Sequence, residues 1–108
     1  ECVRDWLARF GRLALRRPLD EAEIDGFIAT YTRGKLTSFA DGVADALTRL
    51  LLSPSFWYRV ELGTPVPGEP GVVRLGGFEL ASRLSYFLWQ SGPDELLLDA
   101  AAQGQLET

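Results

Sequence analysis

The acidic residues Asp94, Glu95 and Asp99, near the end of the chain, have the side-chain type that acid–base catalysis uses. Two carboxyl groups on opposite sides of a glycosidic bond can act as the acid and the base in its hydrolysis. However, these residues follow Pro93 at the expected start of a helix, where the helix dipole by itself favours negative charge. The sequence therefore predicts a structural role for them, and it offers no catalytic residues.

Histidine is absent from the sequence, and cysteine occurs once, at Cys2. The chain therefore cannot complete a serine–histidine or cysteine–histidine nucleophile system, and it has no histidine ligand for zinc or haem iron. One cysteine excludes a CxxC redox pair and a CxxCH haem attachment. Carboxylates alone could bind calcium or magnesium, but the loop pattern that orders them in an EF-hand is not present. We expect no enzymatic activity, no cofactor and no metal site in this chain.

Three aromatic residues, Phe56, Trp57 and Tyr58, follow one another directly after a proline. Consecutive residues of a helix point about 100° apart, so three rings in a row would surround more than half of it. We interpret them as packing residues, buried between the first three helices and the fifth helix. The alternative is an exposed platform of Trp57, Tyr58 or Trp89, on which a sugar ring or a partner's side chain stacks.

Basic residues are concentrated at the start of the chain. The first 19 residues carry five basic and two acidic groups, whereas the whole chain has a formal net charge of −4. Nucleic-acid binding requires a broad basic face, so we exclude a nucleic-acid partner. Arg16 and Arg17 are expected to stabilise the C-terminal end of the first helix and to pair with the acidic residues that follow, Asp20, Glu21, Glu23 or Asp25.

Glu79 and Arg83 lie four residues apart in an otherwise apolar helix. Most pairs at this spacing are solvated and contribute little to stability. The alternative is a buried bond between the guanidinium and the carboxylate, because this helix could be covered on two sides.

Hydrophobic periodicity and capping signals predict an all-α fold, a small bundle of about six helices with a Pro/Gly-rich connection between the fourth and the fifth. The fourth helix is expected to begin at Ser53 and Pro54 and to end near Leu62. In the fifth, Leu84, Phe87 and Leu88 are among the residues expected on the buried face. The predicted helices are about Val3–Leu15, about Glu21–Arg33, Thr37 or Ser38 to Leu51, Ser53 to about Leu62, and two helices within 76–90 and 91–106, the last capped by Ser91 or Gly92.

The stretch GTPVPGEPGVV contains three prolines and three glycines, which is typical of a linker or an ordered loop. It divides the sequence into a first helical domain at 1–62, a connection at 63–74 and the helical start of a second, truncated domain at 75–108. No apolar run reaches the roughly 20 residues that a membrane span needs.

Some features are typical of a piece of a longer protein. Methionine is absent, including at the first position. Cys2 is interpreted as a small buried hydrophobic residue, and a disulfide with a cysteine outside the fragment is the alternative. Truncation of the second domain is expected to leave apolar surface uncovered.

Four motifs carry a resemblance to known proteins: RRPL at Arg16–Leu19, LLSPSFWYRVE at Leu51–Glu61, ELASRLSYFLW at Glu79–Trp89 and PDELL at Pro93–Leu97. With them the chain resembles two adjacent domains of unknown function that occur in large multidomain proteins of planctomycete and myxobacterial type. The resemblance implies an exported, extracytoplasmic protein. Many such proteins carry a cytochrome-c-like segment elsewhere, and some are linked to binding or breaking down complex polysaccharides. The resemblance assigns no catalytic residues.

The sequence thus favours a non-enzymatic structural or interaction module of a large exported multidomain protein, whose partners are other domains of the same parent chain. The first alternative is a module that binds polysaccharide or another ligand through Trp57, Tyr58 or Trp89. The second is a scaffold for one half of an active site that other domains complete.

Overall fold

Six helices and one pair of short strands make up residues 1–107, the part of the chain that this computed structural model describes. The predicted all-α class is confirmed, since the sheet contains only four residues. The chain divides into two compact units, Glu1–Tyr58 and the residues from Arg59 onward. The elements are α1 (Cys2–Leu15), α2 (Glu21–Gly34), α3 (Phe39–Leu51), α4 (Pro54–Trp57), β1 (Thr64–Pro65), β2 (Val73–Arg74), α5 (Gly77–Trp89) and α6 (Glu95–Ala102).

Side-chain caps fix the starts of α2 and α3, as the sequence predicts. The Asp20 carboxylate accepts a hydrogen bond from the Glu23 N–H at 2.7 Å, and the Glu23 carboxylate accepts one from the Asp20 N–H at 3.0 Å. Ser38 Oγ likewise accepts from the Asp41 N–H at 3.0 Å. Each cap satisfies N–H groups that the helix itself leaves without a partner, which typically contributes about 1 kcal/mol.

The core of the first unit lies where α1, α2 and α3 meet. Its buried cluster is Leu7, Phe27, Tyr31, Ala46 and Leu50, and partly buried side chains such as those of Val3, Trp6, Phe10, Ile28 and Val43 pack around it. The periodic residues of α2 are therefore placed as predicted. Phe39, the first apolar residue of α3 and expected on its buried face, lies outside this core: it is 62% exposed, and its ring meets the Tyr31 ring edge-to-face.

Helices α2 and α3 approach each other closely at Gly34 and Gly42. A Cβ atom added to Gly42 would lie 2.8 Å from the Tyr31 carbonyl oxygen, which belongs to the backbone of α2. Backbone cannot move aside as a flexible side chain can, so the absence of a side chain at Gly42 sets the distance between the two helices.

Replacing Gly42 with alanine is therefore expected to lower the free energy of unfolding of the first unit by about 1–3 kcal/mol, the usual cost of overpacking. The matched control is Gly26→Ala in α2, where the three atoms nearest to the added Cβ all belong to the guanidinium of Arg49, the end of a flexible side chain. There the higher helix propensity of alanine, worth up to about 1 kcal/mol, should offset the displacement of the arginine. Urea denaturation of both variants compares them, and equal losses would contradict this interpretation.

The fourth helix is much shorter than the sequence predicts. It spans only Pro54–Trp57, and Tyr58 already has extended dihedral angles, φ −110° and ψ 141°. A single helical turn has little stability of its own. The backbone that would continue the helix finds other partners instead, because the Tyr58 carbonyl bonds to Arg16 and the Leu62 and Gly63 N–H groups bond to Glu79. The prediction of a helix reaching Leu62 is wrong.

Helix α5 buries its small residues, and most of the apolar face that the sequence assigns to the core is exposed. Of that face Ala81 is buried as expected and Leu80 is half-buried. The expected core residues Leu84, Phe87 and Leu88 are 41%, 84% and 59% exposed. The buried residues are Gly77, Ala81, Ser82 and Ser85. A side chain at Gly77 would meet the Ala101 carbonyl oxygen at 2.8 Å, so the small residues allow α5 to pack closely on α6.

The end of the second unit differs from the prediction in one detail and agrees in another. Asp94, and not Ser91 or Gly92, is the N-cap of α6, and its carboxylate accepts from the Leu97 N–H at 2.8 Å. Asp94 and Glu95 thus have the structural role at a helix start that the sequence predicts.

The Pro/Gly-rich stretch forms an ordered hairpin. Strands β1 and β2 pair antiparallel, with Thr64 opposite Arg74 and Pro65 opposite Val73. Gly68 and Gly71, in the turn between them, have φ values of 82° and 81°, a conformation that glycine adopts without steric cost.

Candidate interaction site

Trp57 and Tyr58 are 68% and 70% exposed to solvent. The predicted burial of this aromatic row is wrong. Helix α4 ends at Trp57, so it is too short to be covered on a second side by another layer of helices. Only Phe56 of the row is half-buried. We call the two exposed neighbours, Trp57 and Tyr58, the aromatic ledge.

Phe56 supports the first ring of the ledge. The ring centroids of Phe56 and Trp57 are 5.8 Å apart, and their planes meet at 81°, an edge-to-face arrangement. Such aromatic pairs are worth about 0.5–1.5 kcal/mol beyond the burial of their area. The half-buried Phe56 therefore restricts the orientation of the exposed indole.

Arg16 holds the backbone on which the ledge stands. Its guanidinium donates to the carbonyl oxygens of Ser55 at 2.7 Å, Phe56 at 3.3 Å and Tyr58 at 3.1 Å. A fourth bond, 3.1 Å long, reaches the Ala14 carbonyl at the end of α1. The arginine is only 7% exposed, so these bonds compensate for taking its charge out of water.

The position of Arg16 in the chain explains how it reaches these carbonyls. It is the C-cap of α1 and has left-handed dihedral angles, φ 61° and ψ 25°. This conformation turns the chain sharply at the end of the helix, but it costs a residue other than glycine about 1–2 kcal/mol. The bonds of the guanidinium to α4 and to the residue after it must outweigh that cost.

The other basic residues pair partly as expected. Arg17 forms a two-pronged bond to Glu23 at 2.9 and 2.7 Å, and this bond is the main reason that the pKa of Glu23 is lowered. Arg4 pairs with Glu21 and with Asp25. The predicted pairing thus holds for Arg17. Arg16 bonds to the Ala14 carbonyl at the end of α1, as expected, whereas its bonds to the carbonyls of residues 55, 56 and 58 were not predicted. Two neighbouring arginines look alike in a sequence, and only the left-handed turn at the first one separates their roles.

The third predicted ligand-facing residue, Trp89, is the last residue of α5 and is 48% exposed. It belongs to the second unit, whereas Trp57 and Tyr58 belong to the first. All three side chains are open to solvent. Trp57 and Tyr58 are consecutive in the chain, and the role of the three as a contact surface stays a prediction.

An apolar depression lies on the exposed face of α5. It has a volume of about 330 Å³ and is lined by Leu80, Arg83, Leu84 and Phe87. This surface was not predicted, because the apolar periodicity of the helix places Leu84 and Phe87 in the core. The signal that could have revealed it is the run of small residues Gly77, Ala81, Ser82 and Ser85 on the opposite face.

Glu79 and Arg83 do not pair as expected, and each has another partner. Glu79 accepts hydrogen bonds from the N–H groups of Leu62 at 2.8 Å, Gly63 at 3.1 Å and Gly76 at 2.8 Å. Arg83 bonds to Glu61. Burial raises the pKa of Glu79, but the three N–H bonds to its ionised form together have the larger effect, so the pKa is lowered.

Acid should release the contacts of Glu79. Because its pKa is lower in the folded state than the ordinary value of 4.5, its contribution to stability is fully present above pH 4.5. That contribution is lost as the pH falls through the lower, folded-state value. We expect the amide shifts of Leu62 and Gly63 in NMR spectra to change below pH 4.5, and Glu79→Gln to abolish this step. A step centred at or above pH 4.5 would contradict the assignment.

Two further predictions concern metal and cysteine chemistry. Within residues 1–107, no group of three or more histidine, cysteine, aspartate or glutamate residues is arranged to hold a metal ion. Cys2 is exposed, so its interpretation as a buried hydrophobic residue is wrong.

Within residues 1–107, no helix has the length and apolar character needed to cross a membrane.

Comparison with known families gives two matches. Residues 2–61 match PSD5, described as "Protein of unknown function (DUF1595)", and residues 75–108 match PSD4, described as "Protein of unknown function (DUF1592)". A search of curated proteins and a search of solved structures found no match. Since the first match covers more than half of the 108 residues, the chain belongs to the PSD5 family of proteins of unknown function, and residues 75–108 match PSD4, a second family of unknown function.

Proposed function

We propose that this chain is a non-enzymatic interaction module and that the aromatic ledge is its contact surface. The observation that carries the proposal is the exposure of Trp57 and Tyr58 on a backbone that Arg16 holds through three carbonyl bonds. Aromatic side chains are enriched at the centres of protein interfaces, where they bury a large area at a small entropic cost. A backbone that is fixed before binding reduces that cost further.

The proposed absence of catalysis is supported by the way the carboxyl groups are used. The two with lowered pKa values, Glu23 and Glu79, are bonded to Arg17 and to backbone N–H groups respectively. Asp94 caps α6. These groups serve the fold, and the sequence supplies no histidine that could act in their place.

The proposed partners are other domains of the same parent protein, and the proposed location is extracytoplasmic. Both rest on the resemblance of the motifs around Arg16–Leu19 and Leu51–Glu61 to domains of large exported proteins. The exposed aromatic ledge is consistent with a surface that a neighbouring domain covers.

A second candidate is binding of polysaccharide, and the same exposure favours it. Trp57 and Tyr58 combine a flat apolar ring with a polar group, which suits ligands that have both apolar and hydroxylated surfaces. In this case the sugar ring would stack on the indole, which Phe56 orients through the edge-to-face contact at 5.8 Å.

Fluorescence of Trp57 distinguishes the two candidates. The variant Trp6→Phe/Trp89→Phe leaves Trp57 as the only tryptophan. It is titrated with the other domains of the parent chain, produced separately, and in parallel with a neutral soluble polysaccharide. A saturable change with the domains supports the interaction module, and one with the polysaccharide supports the second candidate.

The strength of the effect is tested by shortening the ledge. If Trp57 is the centre of the contact, Trp57→Ala should weaken binding about 30-fold, which corresponds to roughly 2 kcal/mol. This variant is measured by calorimetry, because it removes the fluorescent reporter. The control is Leu36→Ala, an equally simple truncation of a side chain that is 86% exposed on the same unit. Two results would contradict the proposal: no binding of either the other domains or the polysaccharide, or unchanged binding by the Trp57→Ala variant.

A further inference from the structure

One face of α5 holds the non-helical segment that precedes the hairpin. We call residues 59–63 the strap. Three residues of α5 contact it, Glu79, Arg83 and Tyr86, and they are spaced by four and three positions. This spacing places them on a single stripe of the helix.

The first contact is made with the backbone of the strap. One oxygen of Glu79 accepts from the N–H groups of Leu62 and Gly63, at 2.8 and 3.1 Å. Its other oxygen accepts from the N–H of Gly76, immediately before α5. The carboxylate thereby joins both ends of the hairpin to the first turn of α5, using hydrogen bonds that its charge strengthens.

The other two contacts are made with side chains. Arg83 donates to both carboxylate oxygens of Glu61, at 3.1 and 2.9 Å. The guanidinium of Arg59 lies 4.6 Å from the centroid of the Tyr86 ring, within the range of a cation–π interaction. Both carry more geometric specificity than a simple charge contact, because each needs a planar partner in one orientation.

The contacts have a consistent order along both segments. Glu79, Arg83 and Tyr86 contact residues 62–63, 61 and 59 respectively, so the strap runs antiparallel to α5. Seven residues of helix rise about 10.5 Å. Three to four residues of extended chain span about the same distance, at roughly 3.3 Å each. The stripe on α5 therefore matches a peptide with an arginine, a glutamate two positions later and free N–H groups after it.

The strap crosses the boundary between the two families. The PSD5 match extends to residue 61, whereas the second compact unit begins at Arg59. Residues 59–61 thus belong by sequence to the PSD5 domain and dock on the first helix of the PSD4 domain. We propose that the stripe of Glu79, Arg83 and Tyr86 is a peptide-docking surface whose occupant is this strap, and that docking is reversible and sets the length of free chain between the two units.

The exposure of Arg83, one of the three residues of the stripe, supports reversibility. The side chain of Arg83 is 63% exposed, and ion pairs in such positions contribute little and are weakened by salt. When the strap is docked, Tyr58 is held by Arg16 and the next residue, Arg59, by Tyr86, so no free residue lies between the anchors. Release would add the five residues of the strap to the connection. Neither the stripe nor the strap includes a residue of the aromatic ledge, so this test does not depend on the proposed function.

Amide hydrogen exchange of Leu62 and Gly63, measured by NMR in the full chain, tests the proposal. Both amides should be protected in the unmodified protein and should exchange faster at high salt. Arg83→Gln should raise their exchange rates several-fold, up to about fivefold. The matched control is Arg74→Gln, an exposed arginine of β2 outside the stripe. The Leu98 amide, at a fully buried residue of α6, reports whether the second unit as a whole remains folded.

Three further variants keep the test decisive if Arg83→Gln unfolds the second unit. The charge exchange Glu61→Arg/Arg83→Glu should restore the protection that Arg83→Glu alone removes. Tyr86→Leu should accelerate exchange without changing any charge. Unprotected amides in the unmodified protein, equal rates in Arg83→Gln and Arg74→Gln, or no recovery in the charge exchange would overturn the proposal.

Discussion

Replacing Leu50 with alanine is expected to lower the free energy of unfolding of the first unit by about 2–5 kcal/mol. Leu50 is fully buried in the cluster that α1, α2 and α3 share, so the truncation leaves a cavity that its neighbours cannot fill completely. Urea denaturation followed by the fluorescence of Trp6, which packs against this cluster, measures the loss. The reporter variant is Trp57→Phe/Trp89→Phe, which retains Trp6 as the only tryptophan.

The control for this prediction is Leu52→Ala, which removes the same atoms two positions later. Leu52 is 70% exposed, so its truncation should change the free energy of unfolding by less than about 0.5 kcal/mol. If both leucines gave losses of that small size, the first unit would not have the core described above.

The second large effect is expected at Arg16, where replacement by glycine should lower the free energy of unfolding of the first unit by about 2 kcal/mol. Glycine relieves the left-handed conformation, a gain of about 1–2 kcal/mol. The same change removes bonds from a charged donor to four carbonyls, each worth about 1.5–3 kcal/mol and not additive. The loss should exceed the gain. The same denaturation experiment, followed at Trp6, measures the difference.

A matched control is available at the end of α5. Gln90 is the other residue besides glycine with a left-handed conformation, φ 57°, within residues 1–107, and it too is a C-cap. Gln90→Gly relieves the same strain without removing the carbonyl bonds described for Arg16, so it should leave the second unit equally stable or more stable by up to about 1 kcal/mol. If Arg16→Gly were stabilising as well, the carbonyl bonds would not hold the segment in place.

The features of the fold that depend on local chemistry were predictable from the sequence. Asp20 with Glu23, and Ser38 with Asp41, mark the starts of α2 and α3 because a cap is a contact between residues three positions apart. The periodic apolar residues Ile24, Phe27 and Tyr31 likewise identify the buried face of α2. Both kinds of signal lie within a single helix.

The features that depend on distant residues were not predictable in the same way. Helix α4 ends at Trp57 because Tyr58 bonds to Arg16, 42 positions earlier. On α5 the apolar stripe places Ala81 correctly in the interior but Phe87 wrongly, since close packing against α6 favours small residues and leaves Phe87 exposed. A hydrophobic pattern reports which residues are apolar, and it does not report whether a neighbouring element is present to cover them.

The candidate site has some features that depend on local chemistry and others that depend on distant residues. Trp57, Tyr58 and Trp89 were named from residue type alone, as the alternative to burial. All three are open to solvent, and their role in binding stays a prediction. The role of Arg16 in holding the ledge was not predicted. Its bonds go to backbone carbonyls, which every residue has, so the types of residues 55–58 do not indicate them.

Acrylamide quenching of Trp57, in the variant Trp6→Phe/Trp89→Phe, most directly tests whether the aromatic ledge is displayed to solvent. With 68% of the side chain exposed, Trp57 should be quenched nearly as strongly as a free tryptophan derivative, and its emission should lie at long wavelength. Weak quenching with emission at short wavelength would show that Trp57 is buried in the isolated chain. In that case the ledge could not be the contact surface of an interaction module.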